Sequence, residues 1–148
     1  MDDFPLTVLY FNKANLKEFL KNYKSYPSGV LQKWVCPFGP YNSILKISWT
    51  PRVILFERKQ NLKLLKESQY DPYERGVTFD GPEYYTNTTA IKCETTTSLM
   101  QKVCEKIRNH VTECNQGKIE ITSLTCYFKI DADNNLFLLY CSKMTIQQ

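Results

Sequence analysis

Glycine is scarce in this chain. Five stand among 148 residues and none cluster, which removes the glycine-rich loops that cradle nucleotide phosphates. Histidine is rarer still. His110 is alone, and neither His-Glu-x-x-His nor Gly-x-Ser-x-Gly occurs, so the zinc-protease and nucleophile-elbow chemistries lack their residues. No apolar run reaches the ~18 residues of a membrane-spanning helix. The start, Met1-Asp2-Asp3-Phe4-Pro5, has no basic segment and no long apolar one, so no secretory leader is expected. The six cysteines include no Cys-x-x-Cys pair. Without secretion they read as reduced thiols of a cytoplasmic protein, not as a disulfide framework or a zinc site. Asn87-Thr88-Thr89 spells a glycosylation acceptor, which is moot under the same expectation.

What is present points to a globular chain. Hydrophobic residues make up 43% and aromatics 14%, enough to offset the entropy of ordering. The length fits one domain, residues 1–148, able to bury a continuous core. Nineteen basic residues against fifteen acidic ones give a net charge of +4, too mild to announce nucleic acid.

The organising stretch runs from Ile119 to Ser142. Two β-branched and aromatic runs flank Asp131-Ala132-Asp133-Asn134-Asn135, a strong hairpin signal. In the first run Ile119 and Ile121 share one parity, whereas Leu124, Cys126, Phe128 and Ile130 share the other. A bulge near Thr122-Ser123 reconciles them. The second run, 136–141, is apolar on both parities, which predicts a central strand covered on both faces.

Ahead of the hairpin, the spacing of Met100, Val103, Cys104, Ile107, Val111 and Cys114 predicts one amphipathic helix over 99–114. Ser98 and Gln101 form its expected capping box, and Asn115-Gln116-Gly117 its stop. Leu16, Phe19, Leu20 and Tyr23 predict a short helix over 15–23 with Asn15 as its cap. A turn follows at Tyr26-Pro27-Ser28-Gly29. Strands are expected at 6–11, 30–36, 43–49 and 52–57, with Pro51 at a corner or edge. Two helical turns are expected at 61–68, a short strand at 76–79, and extended chain at 89–93. The fold class is α+β: a mostly antiparallel sheet with a C-terminal β-hairpin, one long amphipathic helix and one or two short helices.

No constellation declares a chemistry. Asp131-x-Asp133-x-Asn135 copies the first ligands of a calcium loop, but Leu136 stands where the glycine belongs and Ser142 where the bidentate glutamate belongs. Turn chemistry explains the same residues. Cys104, Cys114, Cys126 and Cys141 fall on apolar faces and read as small hydrophobes. Cys36, beside Pro37, is the thiol expected at the surface. His110 could pair with a cysteine in space, though a solvated histidine near a helix end is the commoner situation. Lys17, Lys21, Lys24, Arg58, Lys59, Lys63 and Lys66 lie near Tyr10, Phe11, Tyr23 and Tyr26, which makes an RNA-binding module one alternative. Interleaved acids weaken it. The tyrosine-rich connection holding Tyr70, Tyr73, Tyr84 and Tyr85 is the expected partner surface, since tyrosine gives large contact area at small entropic cost.

Two resemblances bear on function. Residues 126–142 have the outline of the metal-binding hairpin of ATP-grasp ligases such as the tubulin tyrosine ligase-like enzymes, with Asp131 as the metal-binding aspartate. Tyr140 and Ser142 stand where that family has Glu and Asn, so a degenerate metal-dependent enzyme is a second alternative. More extensively, residues 26–81 and 128–142 resemble an uncharacterised eukaryotic domain associated with ciliated and flagellated organisms. The match is carried by Pro27-Ser28-Gly29-Val30-Leu31-Gln32, Trp49-Thr50-Pro51, Leu55, Glu57, Arg58, Tyr73-Glu74-Arg75-Gly76-Val77-Thr78-Phe79-Asp80-Gly81, Phe128-Lys129-Ile130-Asp131 and Leu136-Phe137-Leu138-Leu139-Tyr140-Cys141-Ser142. That resemblance implies a non-enzymatic module of the cilium or flagellum; with the residue-level reading, the expectation is a non-catalytic protein-interaction or structural module of the cytoplasm and axoneme, with protein partners, no membrane, and no cofactor or metal. It supplies no functional residues.

Overall fold

The structure is a computed structural model that describes residues 7–22, 24 and 28–147. Its frame is a five-stranded antiparallel sheet: β1 (Tyr41–Trp49), β2 (Ile54–Leu64), β3 (Thr86–Thr89), β4 (Glu120–Ile130) and β5 (Leu136–Gln147), in the order β3-β2-β1-β4-β5. Among the described residues three α-helices accompany it: α1 (Lys13–Asn22), α2 (Pro72–Gly76) and α3 (Glu94–Cys114). The α+β class, the terminal hairpin and the long helix are as the sequence predicts.

One face of the sheet holds the main core. Leu45, Ile47 and Trp49 of β1 share it with Ile121, Leu124, Cys126 and Phe128 of β4, and Met100 and Cys104 of α3 press down on them. The helical stripe predicted from spacing is therefore the packed face, with Val103, Ile107 and Val111 flanking it. Each large apolar side chain buried here contributes ~1.5–3 kcal/mol relative to exposure. Cys114, at the end of the stripe, is exposed. α3 starts earlier than predicted, at Glu94, with Cys93 before it and no side-chain cap bond. The Ser98–Gln101 capping box does not form, because Ser98 lies inside the helix and Gln101 donates to Glu105 at 2.8 Å.

The opposite face is covered by the connection from Pro72 to Gly81. Asp71 and Glu74 make a capping box around Pro72, which nucleates α2 in what was expected to be a plain connection, and the strand expected over 76–79 does not form. Val77 and Thr78 then lie buried on the sheet. Side-chain amides from below tie this cover down: Asn42 donates to the Gly76 carbonyl, and Asn61 donates to Glu74 and Val77 carbonyls at 3.0 and 2.8 Å. Gly81 is obligatory here. A Cβ on it would sit 2.1 Å from a Val77 methyl and 2.8 Å from the Tyr73 hydroxyl.

Four further expectations about elements, and one about a cap, fail for identifiable reasons. The helical turns at 61–68 do not form, because β2 runs on to Leu64, where Asn61 is buried and pairs with Thr86 of β3. No strand forms over 7–12 or 30–36. Val30 is 92% exposed and Leu31 62%, and that segment meets the sheet through side chains and isolated contacts, among them Gln32 to the Leu139 carbonyl, a Pro37–Asp131 bridge and Phe38 to the Ile130 carbonyl. The cap of α1 is Asn12, whose side chain accepts from Asn15 N–H at 2.8 Å, one turn before the residue expected. Third, the extended piece is β3, at Thr86–Thr89 rather than 89–93. Leu6, Tyr23, and Tyr26 and Pro27 of the expected turn lie outside the described residues.

The fourth correction concerns β5. It is an edge strand, not the central one, and Phe137 and Leu138 are each 42% exposed. The central strand is β1. Its polar residues hid this, since Lys46 reaches Glu57 at 2.7 Å and Asn42 is used by the cover. The predicted bulge at Thr122 is present, and β5 adds two more, at Leu139 and Ser142. Bulges on an edge discourage pairing with a foreign strand.

Candidate functional site

Aromatic side chains from four separate segments line up on the covered face. Trp34 packs edge-on against Tyr10 with ring centres 6.2 Å apart, Tyr10 against Tyr73 at 6.3 Å, Tyr73 against Tyr85 at 6.1 Å, and Tyr85 lies 4.5 Å from Tyr84. These separations suit the edge and offset geometries that aromatic quadrupoles favour. The row is fastened in its middle. The Tyr10 hydroxyl donates to the Asp80 carboxylate at 2.9 Å, and Asp80 also accepts from Thr78 N–H at 3.0 Å. Burial, then the Asp80 charge, pushes the Tyr10 phenol well above its ordinary pKa, so it stays a donor. The row surfaces at both ends: Trp34 is 43% exposed at one, and Tyr73 is 38% and Tyr84 72% exposed toward the other. A hydrogen bond with Tyr84, before any burial, raises the Tyr85 phenol.

Of the four tyrosines singled out in the sequence, the structure brings Tyr73, Tyr84 and Tyr85 together and leaves Tyr70 apart. Tyr70 lies under the Lys63 ammonium, 3.1 Å from its ring centre. Tyr10 and Trp34 were not anticipated. They join from remote segments, and only the tertiary cover aligns them. Asp71-Pro72-Tyr73-Glu74 was the available local signal, since it fixes the helical turn that aims Tyr73.

Beside the Trp34 end of the row lies Lys129, on β4 and 2% exposed. Its ammonium stands 3.5 Å from the Trp34 ring centre. Burial pushes this amine down from 10.5 to about 7. The indole face favours the charged form and opposes that shift. Tyr127 continues the covered face, stacked on Tyr140 at 4.7 Å and edge-on to Phe79 at 5.4 Å, and Lys46 and Lys59 both approach the Phe79 ring.

The hairpin tip is fully engaged as a turn. One Asp131 oxygen accepts from Asp133 and Asn135 N–H at 3.0 and 2.7 Å, and the other from the Asn135 amide at 3.1 Å. These bonds, that from the Asn135 backbone first, hold the carboxyl below its ordinary range. Asn134 takes the left-handed backbone, φ 65°, that closes the reversal. Among the described residues no group of three His, Cys, Asp or Glu side chains is placed to hold a metal ion.

His110 and Cys114 do meet, one turn apart on α3, with sulfur 3.6 Å from Nε2. Both are exposed at the helix surface. Cys36 is exposed as expected, and so are Cys93 and Cys141. The basic residues do not assemble into one patch. Arg58 faces the core side, bonded to Ser43 and Gln60, while Lys59 on the reverse face reaches Glu83 at 3.7 Å. A cleft of about 270 Å³ beside Trp49 and Pro51 is lined by Gln101, Glu105 and Arg108; Gln101 donates to Glu105 and Arg108 to Glu120, while the buried Arg108 Nε has no partner among the described residues. Among the described residues no helix is long and apolar enough to cross a membrane. Comparison with protein-family models, curated proteins and solved structures finds no match, so the functional reading rests on the aromatic row itself.

Proposed function

We propose that this chain is a non-catalytic protein-interaction or structural module of the cilium or flagellum axoneme, and that it engages a protein partner through one surfaced end of the aromatic row, Tyr73, Tyr84 and Tyr85. The observation that carries the reading is the contrast along the row. Tyr84 is 72% exposed while Tyr10, three rings inward, is tied to Asp80. An exposed aromatic held by a rigid base loses little entropy on binding and offers a flat face with a hydroxyl at its rim, the combination enriched in protein interfaces. The ciliary placement rests on the resemblance described above.

The test is capture by the full chain from ciliated cells, scored for tubulin and axonemal proteins, with Tyr84→Ala and Tyr70→Ala run in parallel. Recovery of axonemal proteins by wild type and Tyr70→Ala, with loss in Tyr84→Ala, supports the proposal. Recovery of cytosolic proteins alone removes the ciliary placement. Equal capture by wild type and Tyr84→Ala removes the tyrosine surface.

A further inference from the structure

Three cysteines from different elements converge under the edge of the sheet. Cys126 of β4 and Cys141 of β5 are directly opposite in the antiparallel register, so their side chains share a face. Such partners have Cα atoms ~4.5–5.5 Å apart, inside the ~4.4–6.8 Å range that a disulfide spans. Cys104 of α3 lies over the same face, buried with Cys126 in the core. The neighbouring thiols perturb one another: Cys126 lowers the pKa of Cys104, and Cys104 pushes Cys126 itself up to about 12. The presence of Cys126, ahead of burial, raises Cys141. Only Cys141 of the three is exposed, and its thiol also reaches the Lys143 carbonyl at 3.1 Å. A solvent-facing thiol therefore stands opposite a buried one across the strand pair, beside the Ser142 bulge.

We infer that Cys126 and Cys141 are an oxidisable pair, which a hydroperoxide converts into a cross-strand disulfide that fastens β5 to β4. The exposed Cys141 sulfur attacks the peroxide, breaks the O–O bond and becomes a sulfenic acid, and an alcohol or water leaves. Cys126 then attacks that sulfur, the S–S bond forms, and water departs with the second thiol proton. Two thiols lose two electrons and the peroxide gains them. Because both thiols hold their protons tightly, the reaction is slow at neutral pH. The bond closes the whole turn region between residues 126 and 141, so it restricts the unfolded chain and holds an edge strand that otherwise has a neighbour on one side only.

The experiment treats the full chain with hydrogen peroxide, blocks free thiols under denaturing conditions, and maps linked peptides by mass spectrometry. The expected product is monomeric, lighter by two hydrogen atoms, and linked Cys126 to Cys141, with Tm raised by several degrees and restored by dithiothreitol. Cys141→Ser abolishes the link and the Tm shift. The triple variant Cys36→Ser, Cys93→Ser, Cys114→Ser retains both. A link between Cys104 and Cys126, a bond between two chains, or conversion of Cys141 to sulfinic acid with Cys126 still free would each overturn the assignment.

Discussion

Replacing Lys129 with methionine should stabilise the protein and flatten its pH dependence. The lysine is 2% exposed, and burial brings its amine from 10.5 to about 7. Below about pH 7 native and unfolded chains both hold the proton. Above it the native amine releases the proton, while the unfolded amine keeps it to about 10.5. The unfolded state then binds more protons, so resistance to unfolding climbs with pH by ~1.4 kcal/mol per unit. From pH 7 to pH 9 the gain reaches about 3 kcal/mol, or about 1 kcal/mol where the Trp34 face returns the ~2 kcal/mol that a desolvated cation–π contact supplies. Above pH 9 the raised thiols of Cys126 and Cys141 and the raised phenol of Tyr10 act in the opposite sense, because the unfolded chain loses those protons first. Methionine matches the length of the stem without the charge. Urea unfolding of wild type and Lys129→Met across pH 6–9 reads both quantities. The variant should be more stable at pH 6, and the two curves should converge as pH rises. Parallel curves, or a variant weaker than wild type at pH 6, would refute the placement of a costly amine beneath Trp34.

Three further outcomes follow from the cover and the hairpin tip. Gly81→Ala should cost ~1–3 kcal/mol in urea unfolding, since its methyl must displace Val77 or Tyr73; an unchanged midpoint would show that the cover gives way freely. Asn61→Ala leaves two buried carbonyls of the cover without donors and should cost about 3 kcal/mol. Amide exchange should then rise first at Val77 and Thr78, and uniform acceleration throughout the sheet would contradict a local role. Asp131→Ala should lower Tm at neutral pH and reduce the loss of stability on acidification. The wild-type carboxyl is held below its ordinary range, so its contribution is full at neutral pH and fades as pH falls through the native value; identical acid profiles would rule out the turn bonds as its cause.

The elements legible in the sequence were those whose local pattern and tertiary fate agree. The stripe Met100–Cys104–Ile107–Val111 packs where its period points it, and the parity break at Thr122 is a bulge. Failures arose where tertiary partners override local preference. Residues 136–141 carry the composition of a doubly covered strand yet lie at an edge, while Lys46 and Asn42 sit in the central strand because Glu57 and the Gly76 carbonyl complete them. The tyrosines were visible as composition. Their order in space was not, because Tyr10 and Trp34 are held in the row by Asp80 and Lys129, which are remote in sequence. The Asp71–Glu74 box was readable and would have moved the short helix to its true place.

The sheet is two hairpin ribbons stitched along one line, where Leu45 to Trp49 of β1 meets Phe128 to Leu124 of β4. Each ribbon is contiguous in sequence and can zip locally. Their union requires closing a long intervening chain, so assembly of the seam is the kinetic bottleneck. α3, which lies within that chain and presses on both sides of the joint, converts a costly loop closure into a docking of preformed halves.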